Sequence, residues 1–320
     1  MTARLEPGAI ESDQMIPPFI RTTGFGNWNR FAAVNDEFIP IHMDDAEAAK
    51  VGQQGAFGMG NLRVAYLHNA LEAWLGRAGG IVEVAVRFRG LNLKGDTLTA
   101  SGTVTGSDED DGSRLVHLAL SVTNQDGVET TPGTATVALW GDGGPTVTDE
   151  PPADAPSGAA APGVHLTQDE IDLIGTSTAP ITAPPVDTND IRRWAIATHW
   201  PDPPPPVFVD RAAAEASPWG GFVAPRELDP FAWCPSRPWG GPWLRGMGVE
   251  PGRRILNGGQ RSRYFAPIRP GDEITAVCRL VDAVEKDMKL GPTTVFTTEQ
   301  RWTNQRSELV RIGFMTSLYY

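Results

Sequence analysis

The sequence predicts a duplicated α+β fold: two copies of one unit, each a long helix followed by an antiparallel sheet, paired as a pseudo-dimer. Three observations carry this. Residues 145–163 read PTVTDEPPADAPSGAAAPG, too poor in large apolar side chains to offset the entropy of ordering, and divide the chain into two blocks of about 150 residues. The blocks repeat short patterns in the same order. Asn29-Arg30-Phe31-Ala32-Ala33 returns as Arg192-Arg193-Trp194-Ala195-Ile196-Ala197, and Pro40-Ile41-His42-Met43-Asp44 as Pro206-Val207-Phe208-Val209-Asp210. Leu93-Lys94-Gly95-Asp96-Thr97 returns as Ile268-Arg269-Pro270-Gly271-Asp272-Glu273, and Thr123-Asn124-Gln125 as Thr303-Asn304-Gln305. Finally, neither block alternates strand and helix as a doubly wound parallel sheet does.

The elements follow from local pattern. Residues 61–75 carry apolar side chains at 62, 67, 71, 74 and 75, a helical spacing, and Gly76, Gly79 and Gly80 end the run. Strand-like segments follow at 81–88, 97–105, 115–123 and 134–140, with Gly95-Asp96 and Asp126-Gly127 supplying turns. In the second block the corresponding strands are 259–265, 273–281, 293–303 and 309–318. The predicted organisation is a first domain over 1–144, a Pro/Ala-rich linker over 145–163 and a second domain over 164–320.

Composition narrows the function. Asp and Glu number 39 against 27 Lys and Arg, a net charge of −12 that disfavours nucleic acid and anionic lipid as partners. No run approaches the ~20 apolar residues of a membrane span, and residues 1–13 carry no signal-peptide core. Two cysteines, Cys234 and Cys278, make neither a disulfide framework nor a thiolate metal cage. The expectation is a soluble, cytoplasmic protein of a reducing compartment.

Chemistry is expected around His42. Asp36 and Glu37 precede it by six and five residues, with Pro40 stiffening the connection. A carboxylate and an imidazole brought together can hold one water, one group taking a proton from it while the other delivers a proton to a substrate. The second block has Phe208 at the equivalent of His42, the asymmetry expected of one working and one structural copy. Gly55-Ala56-Phe57-Gly58-Met59-Gly60 precedes the predicted helix, where small residues leave amide groups and the helix dipole open to an oxyanion. The glycine spacing is not that of a nucleotide site.

Other candidates carry less. His68 falls within the helix, His117 in a strand and His165 at the linker's edge, while His199 precedes its acid neighbour Asp202. No His/Cys/Asp cluster has metal-ligand spacing, and Ser217 and Cys234 have no base nearby in sequence. Six of the ten tryptophans lie between Trp194 and Trp243, among prolines and glycines. They make either a loop core replacing regular structure or an apolar wall for a bulky ligand.

Glu37-Phe38-Ile39-Pro40-Ile41-His42 resembles the Asp-x-Asn-Pro-x-His signature of MaoC-like, R-specific enoyl-CoA hydratases and dehydratases. The Gly58-Met59-Gly60 helix start and the Gly95-Asp96-Thr97-Leu98 strand entry extend the likeness over residues 20–140. The second block resembles the FAS1-like dehydratase domain through Ala224-Pro225, Pro267-Ile268-Arg269-Pro270-Gly271-Asp272 and Thr303-Asn304-Gln305. The sequence departs from the family in having Ile39 at the asparagine position and in placing the block with the dyad first. An ungapped match aligns Glu37 with the family's aspartate; a one-residue insertion aligns Asp36.

The resemblance implies a double hotdog, each helix wrapped by its sheet. It also implies an α,β-unsaturated acyl thioester whose carbonyl is held by amides at Gly58, Met59 and Gly60. Water held by His42 and Asp36 or Glu37 adds at C3, and a proton arrives at C2. The implied substrate is an acyl-CoA, bulky if the tryptophans line its site; no metal or other cofactor is implied, and a homodimer is the implied assembly. Two other readings stand beside this one. A hotdog thioesterase would use an acid on the central helix, where Glu72 is the one available. A non-catalytic acyl-CoA-binding subunit would have lost its chemistry, with Ile39 as the mark of that loss.

Overall fold

In the first half, strand β1 (Phe19–Thr22) is followed by helix α1 (Phe25–Asn35), the short helices α2 (Pro40–Met43) and α3 (Asp45–Lys50), and the long helix α4 (Gly60–Leu75). Strands β2 (Gly79–Arg87), β3 (Thr97–Asp110), β4 (Ser113–Thr123) and β5 (Glu129–Leu139) complete it. The second half runs α5 (Gln168–Ile171), β6 (Ile181–Thr182), α6 (Thr188–His199), a 3-10 turn at Pro206–Phe208 and α7 (Arg211–Glu215). It ends with β7 (Ile255–Tyr264), β8 (Thr275–Met288), β9 (Gly291–Thr303) and β10 (Leu309–Tyr319). This is a computed structural model, and it describes residues 10–110, 113–141, 144–145, 150, 160–246 and 248–320. Most of the predicted linker, residues 146–149 and 151–159, lies outside the described residues.

All ten strands form one antiparallel sheet in the order β1-β3-β4-β5-β2-β7-β10-β9-β8-β6. The two five-strand halves are mirror orders of one pattern, joined where β2 pairs with β7 from Glu83↔Arg263 to Arg87↔Gly259. An ion pair between Glu83 and Arg263 spans that seam.

The sequence repeats turn out to be scaffold. In each half an aspartate braces the turn before an inner strand: Leu93 N–H donates to Asp96 Oδ2 at 2.7 Å, and Arg269 N–H to Asp272 Oδ2 at 2.8 Å. A glutamine ties each aspartate to the next hairpin, Gln125 to Asp96 and Gln305 to Asp272, both at 3.1 Å. Gly95 and Gly271 sit at φ +96° and +89°, a left-handed turn that a side chain would strain. The first repeat pair becomes α1 and α6, which pack on each other with Phe31 edge-on to Trp194 at 5.5 Å.

Helix α4 is the core of the molecule. Leu62, Leu67, Leu71, Trp74 and Leu75 are buried, each such side chain contributing about 1.5–3 kcal/mol. The helix is covered nearly all round, and two of its polar residues bond deep within the protein. Asn69 Nδ2 donates to Thr198 O at 3.1 Å, and His68 engages Val64 O and Tyr264 Oη, both at 2.9 Å.

The second half differs from expectation: among the described residues it has no counterpart of α4. Residues 216–246 and 248–254, between α7 and β7, run as loops. Prolines at 218, 225, 230, 235, 238, 242 and 251, with glycines between them, leave no stretch long enough for a helix. The six tryptophans therefore do not form one wall. Trp194 and Trp243 are buried, while Trp233 and Trp239 are 64% and 51% exposed.

Candidate active site

Two short elements bring the predicted dyad to the start of α4. Helix α1 ends at Asp36, whose left-handed conformation (φ +49°) reverses the chain, a position aspartate tolerates better than most residues. Glu37 is thereby turned inward, where its Oε2 accepts from Asn35 Nδ2 at 2.7 Å and from Asn61 Nδ2, on the first turn of α4, at 3.2 Å. Asp36 instead faces the second half, 3.5 Å from Arg237 Nη1.

Pro40 starts α2, and its fixed φ sets the turn that carries His42. The imidazole is 7% exposed; Nδ1 donates to the Phe57 carbonyl at 2.7 Å and the ring stands edge-on to the Phe57 ring at 4.9 Å. A carbonyl only accepts, so Nδ1 carries the proton in the neutral ring and Nε2 is left bare. In the second half the same scaffold carries Phe208, 6% exposed in the core. Asp44 and Asp210, the ends of that repeat, cap α3 and α7. The histidine is thus the departure in an otherwise shared local structure.

Burial acts on both groups in the same sense, against charge. It pushes the Glu37 carboxyl up, opposed by the Asn35 and Asn61 amides and by Arg237. It pulls His42 down, opposed by the bond to Phe57 and aided by the buried guanidinium of Arg63. Arg63 is held by Gly90 O at 2.7 Å and Thr130 O at 3.3 Å. Burial thus disfavours the charged form of both the carboxyl and the imidazole.

The predicted amide pocket is narrower than the glycine pattern implies. Gly58 N–H is already given to Asn92 O at 2.9 Å. Its role is close approach, since a Cβ there would lie 2.2 Å from Asn92 Nδ2 and 2.7 Å from Trp28 Nε1, both on buried residues. Met59 and Gly60 amides have no acceptor among the described residues, and they open the helix with its dipole behind them. Asn61 and Phe57 flank them, so Glu37 and His42 are each tethered to one side of this amide pair.

The remaining candidates are structural. His199 Nδ1 bonds Ala195 O at 2.9 Å, and burial pulls its pKa down to about 4. His68 uses both nitrogens as described, and His117 bonds Thr136 Oγ1 at 3.1 Å and Asp108 Oδ2 at 3.0 Å. Glu72 lies twelve residues along α4 from Gly60, about 18 Å at 1.5 Å per residue. Burial and the nearby Glu227 raise its pKa well above the usual range. Asn35, Asn61, Arg63 and Arg237 were not legible as site residues; only Asn35, adjacent to Asp36, had a positional signal. No group of three or more His, Cys, Asp or Glu able to hold a metal occurs among the described residues. No helix among them is long and apolar enough to cross a membrane.

Comparison with known proteins agrees with this architecture. Residues 20–126 match the MaoC-like domain family, and residues 172–312 match the FAS1-like dehydratase domain region. A structure assigned as a MaoC domain dehydratase of Chloroflexus aurantiacus is similar at TM-score 0.66 with 12% identity, over 100% of this chain and 98% of that one. A conserved protein of Mycobacterium tuberculosis, described as a double hotdog fold, is similar at TM-score 0.61 with 14% identity, over 97% of both chains. A search of curated proteins finds no significant match. At these identities the two structures show the fold, a double hotdog, and the family matches place its halves: the chain carries a MaoC-like domain in its first half and a FAS1-like dehydratase domain region in its second.

Proposed function

We propose that the chain adds water to a 2-enoyl-CoA thioester, or removes it from the 3-hydroxyacyl-CoA, at the site formed by Glu37, His42 and the amides of Met59 and Gly60. The observation that carries this is the joint tethering of the Glu37 carboxyl, through Asn61, and of the His42 imidazole, through Phe57, to the two sides of the unbonded amides that start α4.

The thioester carbonyl accepts from the Met59 and Gly60 amides, which withdraw charge from C2=C3; one such donor is worth about 10²–10³-fold. His42 Nε2 takes a proton from water as its oxygen bonds to C3. Glu37 delivers a proton from Oε1 to C2, since Oε2 is already engaged by two amides. The imidazolium and carboxylate left behind exchange the proton and reset the pair. Both new bonds form on the face that carries the dyad, so addition is stereospecific; the R product is the one this family's signature implies.

The test is loss of the conjugated thioester absorbance on mixing the purified chain with 2-enoyl-CoAs of increasing bulk. Hydration is expected to bleach the band without releasing thiol, with a bell-shaped pH dependence. Protonation of His42 closes the low side, below the usual histidine range because burial lowers that pKa, and ionisation of Glu37 closes the high side. Thiol release from a saturated acyl-CoA would replace this reading with a thioesterase. Tight binding with no absorbance change would leave a binding subunit.

A further inference from the structure

The end of α1 that aims Glu37 is capped from the other half of the molecule. Trp233 Nε1 donates to Ala33 O at 2.9 Å, and Arg237 Nη1 donates to Asn35 O at 3.0 Å and Asp36 O at 2.9 Å. These are last-turn carbonyls that a helix leaves without internal donors. The same guanidinium is anchored to Asp229 Oδ2 at 2.5 Å and stacks over Trp239 at 4.6 Å, with its side chain only 10% exposed. Trp233, Arg237, Asp229 and Trp239 all lie within 216–246, in the loop segment between α7 and β7 where the second half would have its own central helix.

We infer that Arg237 is a positioning residue for the hydration proposed above: it holds the reversed turn at Asp36 that points Glu37 at the start of α4. The half without a dyad thereby completes the site of the half that has one. This rests on the assignment of Glu37 and His42, and its test is chosen to fail separately from that assignment.

The groups acting on Glu37 are Asn35 beside it, Asn61 from α4, and Arg237 and Asp229 from the second half, while Arg63 from α4 acts on His42. Arg237 and Asp229 act with opposite sign. The cation favours the ionised carboxyl and the anion opposes it, so their removal should displace the pH–rate profile in opposite directions. A residue that merely stabilised the fold would displace it in neither.

The experiment is steady-state hydration across pH with the full-length Arg237→Gln, Arg237→Lys and Asp229→Asn variants, thermal unfolding being followed in parallel. Arg237→Gln is expected to lower kcat by about 10–10²-fold with KM changed less than about threefold, as for a misaimed group, and to move the profile to higher pH. Arg237→Lys should restore the position of the profile through its charge, but only part of kcat, because it lacks the fork that reaches two carbonyls. Asp229→Asn should move the profile to lower pH, and this variant alone decides the matter if Arg237→Gln does not fold. An unmoved profile in Asp229→Asn, or wild-type kcat and profile in Arg237→Gln, overturns the inference. If Glu37→Gln and His42→Ala are inactive while Arg237→Gln is normal, only the role of Arg237 falls. If Glu37→Gln and His42→Ala turn over normally, the assignment of the dyad falls first.

Discussion

His42→Ala is expected to lower turnover of a 2-enoyl thioester by about 10²–10⁴-fold, the usual contribution of a placed proton-transfer group. The loss should appear in kcat, because the thioester carbonyl is held at the Met59 and Gly60 amides and not by the imidazole. Folding should survive. The ring's polar contact is one bond to Phe57 O, whose net worth is about 1 kcal/mol. The second half also shows the same local scaffold closed around Phe208 with no histidine at all. Circular dichroism and thermal unfolding beside the rate measurement separate the two effects, and a near-wild-type rate would remove His42 from the mechanism.

The contrast between Glu37→Gln and Asp36→Asn is the second large effect. Sequence alignment alone leaves the two acids equivalent; the left-handed turn at Asp36 separates them. Glu37→Gln keeps the shape and the Asn35 and Asn61 contacts within reach but cannot deliver a proton, so a loss of about 10²–10⁴-fold is expected. Asp36→Asn keeps a residue that accepts the left-handed backbone and gives up one partly exposed contact at 3.5 Å with Arg237. Its effect should stay within about fivefold, the scale of such an ion pair. The reverse ranking, measured as kcat on one enoyl-CoA, would transfer the acid role to Asp36.

Much of the architecture was legible because duplication makes a sequence its own comparison. The repeated Gly-Asp and Asn-Gln patterns encode turns that are built identically in both halves, Asp96 with Gln125 and Asp272 with Gln305. Helix α4 was legible from its period, and His42 stood out as a candidate by the Phe208 at its repeat position. The same logic misled at the second central helix, where the repeat implied one and the proline spacing after residue 216 forbids it. Within the site, the commitment of Gly58 N–H to Asn92 O could not be read from glycine spacing. It depends on a strand connection more than thirty residues away. Arg237 lay further out of reach, some two hundred residues from the carbonyls it caps, in a loop whose composition gives no sign of an active-site role. Short β1 and helices α1 and α6 were missed as elements because their patterns are mixed, and their burial comes from packing across the two halves.

The claim at the centre of this account is that His42, which deprotonates the water, and Glu37, which protonates C2, act as one proton-transfer unit, and a double-variant cycle measures that directly. Hydration by His42→Ala, Glu37→Gln and the combined variant should be compared on a single enoyl-CoA at the pH optimum. A unit predicts that the combined variant is no slower than the worse single variant by more than about threefold, because either change already disables the proton transfer. Losses that multiply, with the combined variant slower by the product of the two, would show independent roles and contradict the account.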